Sequence, residues 1–250
     1  MFKIVPMLNP DGVVVGNYRC SMSGNDLNRK FDEPDLRLHP TVYNTKVMCE
    51  QIIHAYHRQG LSGDNLLFYV DMHAHSRRKN VFMFGPQVPV HSEKYLKMRV
   101  IPKLCAEETD MFRYHSCSFI NEKAKEAAAR ISLYRQLGIW NCFTLEASFH
   151  GYYTRDRENF EFTPDGYEKM GERLVYALYE YCMVLEEDDR RKQLAKIEKQ
   201  KGTTKGKEED NKKGNKKTKG QEKPPTVQKA KITATEKIAT NKKPAHVVGK

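Results

Sequence analysis

Two histidines separated by one residue stand at the end of the most hydrophobic run in the middle of the chain. The run LLFYV leads into VDMHAHS, so His73 and His75 follow a predicted buried strand. Residues two apart on a strand project to the same face, and imidazole is a frequent zinc ligand. The pair is a candidate metal site, although solvated histidines beside Arg77, Arg78 and Lys79 would have the same spacing.

A single carboxylate, Glu146, interrupts the apolar and small residues of the stretch FTLEAS. Burial among such neighbours raises the pKa of a glutamate, and a raised pKa suits a general base. The sequence alone leaves open the alternative of a glutamate at a strand end that points to water.

Arg19, Asn28 and Arg29 lie in an irregular, glycine-containing segment near the start of the chain. An arginine can hold a carboxylate through two parallel hydrogen bonds, and a neighbouring asparagine amide can donate a third. Taken alone, the dipeptide Asn28-Arg29 indicates no more than a basic loop.

Apolar runs alternate with helical patterns along residues 1–189. Strands are predicted over residues 2–8, 66–73, 81–85 and 141–148, and helices over residues 40–57, 93–113 and 167–196. This alternation predicts an α/β domain with a mixed, mostly parallel sheet and helices on both faces. Ligands of such sheets bind beyond the strand ends, where His73 and Glu146 are expected.

The charge of the chain is concentrated at its C-terminal end. Residues 190–250 contain 20 Lys/Arg and 6 Asp/Glu and no aromatic residue or cysteine. Such a segment buries too little apolar area to offset the entropy of ordering, which predicts a disordered, Lys-rich tail after a domain of residues 1–189. The tail would suit acidic partners such as RNA or glutamate-rich protein tails, although a charge run is more often simply solvated.

The remaining composition indicates the compartment. The six cysteines form no CxxC pair, and several stand in apolar periodic contexts, which indicates reduced thiols in an intracellular protein. The N-terminal apolar run is too short for a signal peptide, and no apolar stretch is long enough to cross a membrane. We expect a cytoplasmic protein with no membrane partner.

Three blocks together resemble a known family. These blocks are NPDGVVVGNYRCSMSGNDLNRKF, VDMHAHSRRKNVFMFG and ARISLYRQLGIWNCFTLEASF. In order and spacing they resemble the zinc carboxypeptidases, and within these the cytosolic branch that trims glutamates. The resemblance runs from about residue 2 to residue 185, and it implies Zn²⁺ as cofactor and release of C-terminal glutamate, with tubulin-like tails as substrates and microtubules as a place of action.

The resemblance also implies roles for single residues. His73 is similar to the zinc ligand that this family contributes late in its domain. Glu146 resembles the carboxylate that deprotonates the attacking water and passes the proton to the leaving amine. Arg19 resembles the arginine that polarises the scissile carbonyl and stabilises the oxyanion.

Substrate binding is implied at three further positions. Asn28 and Arg29 resemble the pair that holds the free C-terminal carboxylate of the substrate. Arg130 stands about where the family lines the pocket for the departing side chain, and a positive charge there would favour glutamate. His75 corresponds to a position that is not a zinc ligand in the wider family.

One motif of the family is missing from this sequence. The resemblance implies a further His and Glu in an H-x-x-E motif, and none of the nine histidines is followed by Glu at the third position. We therefore expect a part of a catalytic domain, with weak zinc binding and little or no cleavage by the 250 residues alone.

Two other interpretations of the same residues assign the protein to a different functional class. DMHAHS also resembles the D-x-H-x-H opening of metal-dependent barrel enzymes, but such barrels need further ligands on later strands and leave no room for this tail. The second alternative is a non-catalytic fragment that binds tubulin or another acidic partner through the tail.

Overall fold

The computed structural model describes residues 1–212 of the chain, with side-chain surroundings for residues 1–196. Internal contacts divide the chain into two units, Met1–Leu194 and Ala195–Lys250. The first unit contains the sheet and both hydrophobic cores. No helix within residues 1–212 is long and apolar enough to span a bilayer.

Six α-helices are present in the described part of the chain. They are α1 (Pro10–Val15), α2 (Pro40–Arg58), α3 (Glu93–Lys97), α4 (Val100–Glu108), α5 (Ala129–Leu137) and α6 (Pro164–Lys212). Helix α2 begins with a proline, whose missing N–H costs nothing at a helix start, and it buries Val42, Cys49 and Ile53 along one face. Gly138 ends α5 in the left-handed conformation (φ 73°), which glycine adopts without strain.

A three-stranded mixed sheet forms the centre of the first unit. Its strands are β1 (Tyr69–His75), β2 (Val81–Phe84) and β3 (Cys142–Ser148), in the order β1-β3-β2. Strand β3 pairs in parallel with β1 and antiparallel with β2. A separate ribbon pairs β4 (Tyr152–Tyr153) with β5 (Asn159–Phe160).

Helices cover both faces of the sheet, as predicted. On one face, Phe143 and Leu145 of β3 pack with residues of α4 and α6. On the other face, Cys142 packs with residues of α2 and α5. Burial of these apolar side chains removes them from water and holds the central strand between two helical layers.

The prediction of a strand over residues 2–8 is wrong. These residues form no ladder, and the side chains of Phe2 and Ile4 are 55% and 81% exposed. They are followed directly by α1, which Asn9 caps by accepting a hydrogen bond from the Gly12 N–H. An apolar run becomes a strand only where another backbone pairs with it, and no described strand pairs with this one.

Two predicted segments have different bounds in the structure. The helix predicted over residues 93–113 is two helices, α3 and α4, because Pro102 has no N–H to bond the carbonyl four residues earlier. Helix α6 extends to Lys212, beyond the predicted helix end at residue 196, so residues 190–212 of the predicted disordered tail are helical. The ion pairs Glu187–Arg191 and Asp188–Lys192 have the i,i+4 spacing that stabilises a helix. The rest of the predicted disordered tail, residues 213–250, lies outside the described residues.

Candidate active site

The carboxyl ends of the two parallel strands bring the main sequence candidates together. In the β1–β3 ladder His73 lies opposite Glu146, and Asp71 lies opposite Thr144. Directly paired residues project to the same face of a sheet, so the imidazole and the carboxylate share one face. Phe82 of β2 lies opposite Glu146 on its other side.

His73 is held by a carboxylate on its own strand. Its Nε2 lies 2.8 Å from Asp71 Oδ2. Burial alone would lower the pKa of His73, but the hydrogen bond and the charge of Asp71 outweigh it, and the pKa is raised. When Nε2–H donates to Asp71, the lone pair stays on Nδ1, and a metal-binding histidine supported by a carboxylate divides its two ring nitrogens in the same way.

Glu146 is partly buried and is available for proton transfer. Burial raises the pKa of Glu146, while the positive charges of His73 and Arg130 act in the opposite direction. The hydrogen bonds recorded for residues 1–196 include none to its carboxylate, so it is not committed to a structural partner. A carboxylate with a raised pKa and open oxygens can accept a proton from water.

Asn28 reaches this site from a short 3₁₀-helix, Leu27–Arg29. Asp26 caps this turn by accepting a hydrogen bond from the Asn28 N–H at 3.1 Å. Asn28 Oδ1 accepts from the Ala129 N–H at 3.0 Å, which places Asn28 Nδ2 3.4 Å from His73 Nε2. The side-chain amide is thus fixed with its NH₂ group facing the site.

Arg29 and Arg19 are held by contacts outside the strand pair. Arg29 Nη1 donates to the Asn28 carbonyl at 2.8 Å. Arg19 binds the Asp26 carboxylate through Nε at 3.0 Å and Nη2 at 2.9 Å, with 44% of its side chain exposed. Arg19 is near enough for its charge to act on His73, but within residues 1–196 its hydrogen bond and ion pair go to Asp26 and not to His73 or Glu146.

Arg130 is a buried cation at the start of α5. Only 4% of the residue is exposed, and its guanidinium lies 5.5 Å from the centre of the Phe84 ring. Burial lowers the pKa of Arg130, and the charges of Glu122 and Glu146 partly offset this. Its Nε and the Thr144 Oγ1 are both buried without a hydrogen-bond partner within the described residues, a condition that a polar ligand or water would relieve.

The structure adds one residue that the sequence reasoning missed. Asp71 orients His73, and the spacing D-x-H on one strand was the available signal, because residues two apart share a face. His75 also faces this side, but its Nδ1 accepts the backbone N–H groups of Arg77 (3.0 Å) and Arg78 (3.2 Å). This engagement leaves only Nε2 of His75 for other partners.

The described residues do not form a complete metal site on their own. Within residues 1–212, no three His, Cys, Asp or Glu side chains are placed to hold one metal ion. His73 fits the role of one ligand by its carboxylate partner and its available Nδ1. Catalytic zinc takes three protein ligands and one open position, so this chain offers a part of such a set.

The chain is similar to curated carboxypeptidases of vertebrates. Cytosolic carboxypeptidase 2 of Xenopus tropicalis is 38% identical over 183 residues, which cover 73% of this chain and 18% of the relative. Cytosolic carboxypeptidase 2 of Homo sapiens is 36% identical over 184 residues, covering 73% of this chain and 19% of the relative. The chain spans about a fifth of the length of these relatives. No family model matches the chain.

Solved bacterial structures have the same fold. The metallo-carboxypeptidase from Burkholderia cenocepacia has a TM-score of 0.55 at 21% identity, covering 72% of this chain and 44% of that one. The metallo-carboxypeptidase from Pseudomonas aeruginosa has a TM-score of 0.51 at 21% identity, covering 72% and 45%. At this identity the likeness concerns the fold alone, and it confirms the predicted α/β class.

Proposed function

The chain belongs to the cytosolic carboxypeptidases, and on this premise we propose that it supplies part of the catalytic centre of a metallo-carboxypeptidase. The proposed reaction releases C-terminal glutamate from proteins or from polyglutamate side chains. The proposed metal is Zn²⁺, with His73 as the one ligand that residues 1–212 contribute. The cytoplasm is the proposed compartment, in keeping with the names of the relatives.

One observation carries the proposal: the register that sets His73 opposite Glu146 on one face at the carboxyl ends of parallel strands. A metal ligand and a general base must act on the same water molecule, so they have to converge. Paired positions of neighbouring strands lie about 5 Å apart, which allows this convergence.

The residues of this chain divide the remaining work. Glu146 takes a proton from the attacking water and returns it to the leaving amine. The amide of Asn28 and the guanidinium of Arg29 hold the terminal carboxylate of the substrate, which makes the enzyme an exopeptidase. Arg19 contributes positive charge towards the oxyanion, once its pairing with Asp26 is shared with substrate.

Preference for glutamate is assigned to Arg130. A buried guanidinium with an unpartnered Nε is costly, and an incoming carboxylate would supply the missing charge and hydrogen bond. An uncharged side chain would leave that cost in place. Glutamate-rich C-termini such as those of tubulin are therefore the proposed substrates, and association with microtubules follows from that choice.

A hybrid protein tests this function. The matching 183-residue stretch of the Xenopus tropicalis relative is replaced by the corresponding residues of this chain. We expect release of glutamate from a glutamate-terminated peptide, and a loss of about 10²–10⁴-fold in kcat with Glu146→Gln, because general acid–base catalysis is worth that much.

Two controls accompany the hybrid. Glu168→Gln makes the same chemical change at an exposed position of α6 and should leave the activity unaltered. A hybrid that binds zinc and keeps full activity with Glu146→Gln would contradict the assignment of the general base. A hybrid that prefers lysine-terminated to glutamate-terminated peptides would contradict the role of Arg130.

A non-catalytic binding role is the second candidate, because residues 1–212 contain no three-residue metal set and the Lys-rich tail suits acidic partners. Co-sedimentation with microtubules and with RNA across a salt series, before and after deletion of residues 190–250, tests it. Equal binding with and without those residues would rule out the tail as the binding element.

A further inference from the structure

One cavity of the structure contains none of the candidate site residues in its lining. It has a volume of about 620 Å³ and is formed by the C-terminal half of α4, residues 110–115 and residues 153–155. Phe112, Tyr114 and Tyr153 contribute aromatic walls. This volume lies within the range of about 300–1,000 Å³ that is usual for ligand clefts.

The charges around this cavity are only partly paired. Lys103 binds Glu107 at 3.1 Å, and Arg155 binds Asp110 at 2.7 Å. Arg113, which is exposed at the same wall, has no ion-pair partner within the described residues. The cavity therefore presents an excess positive charge beside aromatic surface.

A basic loop, Arg77–Lys79, joins the cavity to the candidate active site. It follows directly after His75, the last residue of β1. Arg78 Nη1 donates to the Ser116 carbonyl at 3.3 Å, next to the residues that line the cavity. Lys79 Nζ lies 4.6 Å from the centre of the Tyr153 ring, which is part of the cavity wall. The loop residues have no carboxylate partner in the described part of the chain.

We propose that this cavity and the basic loop form a binding site for an acidic polypeptide segment. The unpaired guanidinium of Arg113 and the loop cations would bind its carboxylates, and the aromatic walls its aliphatic side-chain stems. Glu107 and Asp110 also face the cavity. They can accept backbone N–H groups of a polypeptide, whereas the phosphates of a nucleic acid present only acceptor oxygens and negative charge to them.

The position of the cavity suggests which part of a substrate the bound acidic segment would be. Helix α4 packs on the sheet face opposite to α5, which carries Arg130. The basic loop follows the end of β1, so a substrate whose preceding residues leave the site past His75 would meet the loop before the cavity. That the bound segment is the upstream part of a substrate rests on the proposed function, but the binding itself does not.

Photo-crosslinking tests this binding without any catalytic step. The probe is a synthetic oligoglutamate peptide with a benzophenone side chain, mixed with the full chain in the presence of a metal chelator. We expect crosslinks within residues 103–115 and 153–155. Arg113→Glu should lower their yield by about fivefold or more, because an exposed ion pair is replaced by a like-charge contact.

A matched variant separates this site from general charge attraction. Arg58→Glu reverses an exposed charge at the end of α2, which packs on the other face of the sheet, and should leave the crosslinks unchanged. Circular dichroism checks the fold of both variants, and Arg113→Gln replaces Arg113→Glu if the latter does not fold.

Three outcomes would overturn the proposal. The first is crosslinks confined to residues 190–250, and the second is an equal effect of Arg113→Glu and Arg58→Glu. The third is an oligouridylate probe that crosslinks at the same residues with the same dependence on Arg113. Because no metal or cleavage is involved, failure here leaves the hydrolase activity to be judged by the hybrid protein alone.

Discussion

The strand pair β1–β3 and the segment of residues 2–29 both carry candidate site residues, but they hold them by different means. In the strand pair, the ladder sets His73 opposite Glu146 while Phe143 is buried on the other face. In the segment, Arg19 is held by Asp26 at its surface, and Val14 is 84% exposed. A side chain on a strand whose pairing is held by a buried core is fixed more firmly than a side chain held by an exposed ion pair.

The largest expected effect is a loss of stability in the strand pair, measured by truncating one phenylalanine in each region. Phe143→Ala should lower the free energy of unfolding by about 3–5 kcal/mol, because it opens a cavity in a fully buried core. Phe2→Ala should lower it by less than about 1 kcal/mol, because Phe2 is 55% exposed. Urea denaturation of the full chain measures both, and equal losses would remove the distinction between the regions.

A smaller change in stability, which depends on pH, is expected when Glu146 is replaced. Because burial raises the pKa of Glu146, the folded state binds this proton more tightly than the unfolded state does. Stability contributed by the protonated form is lost as pH rises from the ordinary glutamate range through the raised pKa. At pH 7, Glu146→Gln should therefore raise the Tm by a few degrees.

The same variant should show no gain below the ordinary pKa of glutamate, where both states of the parent are protonated. Thermal unfolding across pH measures this, with Glu168→Gln at an exposed position as the control. A lower Tm for Glu146→Gln at pH 7 would mean that the carboxylate stabilises the fold and is not held there for chemistry.

The smallest effects are expected in the segment. Arg19→Ala removes an exposed ion pair and should cost about 0.2–1 kcal/mol. Asp26→Ala removes the same pair and also the cap of Leu27–Arg29, so it should cost about 1 kcal/mol more. Denaturation of both variants measures the difference, and identical losses would show that the cap contributes nothing.

The two regions also differ in what the sequence alone could predict. The strands 81–84 and 142–148 and the helix from Pro40 were predicted nearly to their ends. Their apolar residues recur with the period of the element, and this period can be recognised from the local sequence. The predicted strand over residues 2–8 was wrong, because a strand depends on a pairing neighbour that local sequence does not reveal.

The site residues show the same difference between the strand pair and the irregular segment. The convergence of His73 and Glu146 was foreseen, because both lie at strand ends. The pairing of Arg19 with Asp26 was not foreseen, since six residues of irregular backbone lie between them and no periodic pattern relates their side chains. Within a strand ladder the sequence position of a residue determines which neighbour it faces, whereas in an irregular segment it does not.

His73 and Glu146 project to one face of the sheet, and we expect both to lie within reach of one metal ion. The most direct test of this expectation is the Ni²⁺-dependent rise in Tm of the full chain carrying Glu146→His, which would pair two imidazoles across the ladder. Met72→His adds an imidazole on the opposite face at an exposed position and serves as the control. We predict a clear extra rise for Glu146→His that disappears when His73→Ala is added, and a rise no larger than that of Met72→His would contradict the account.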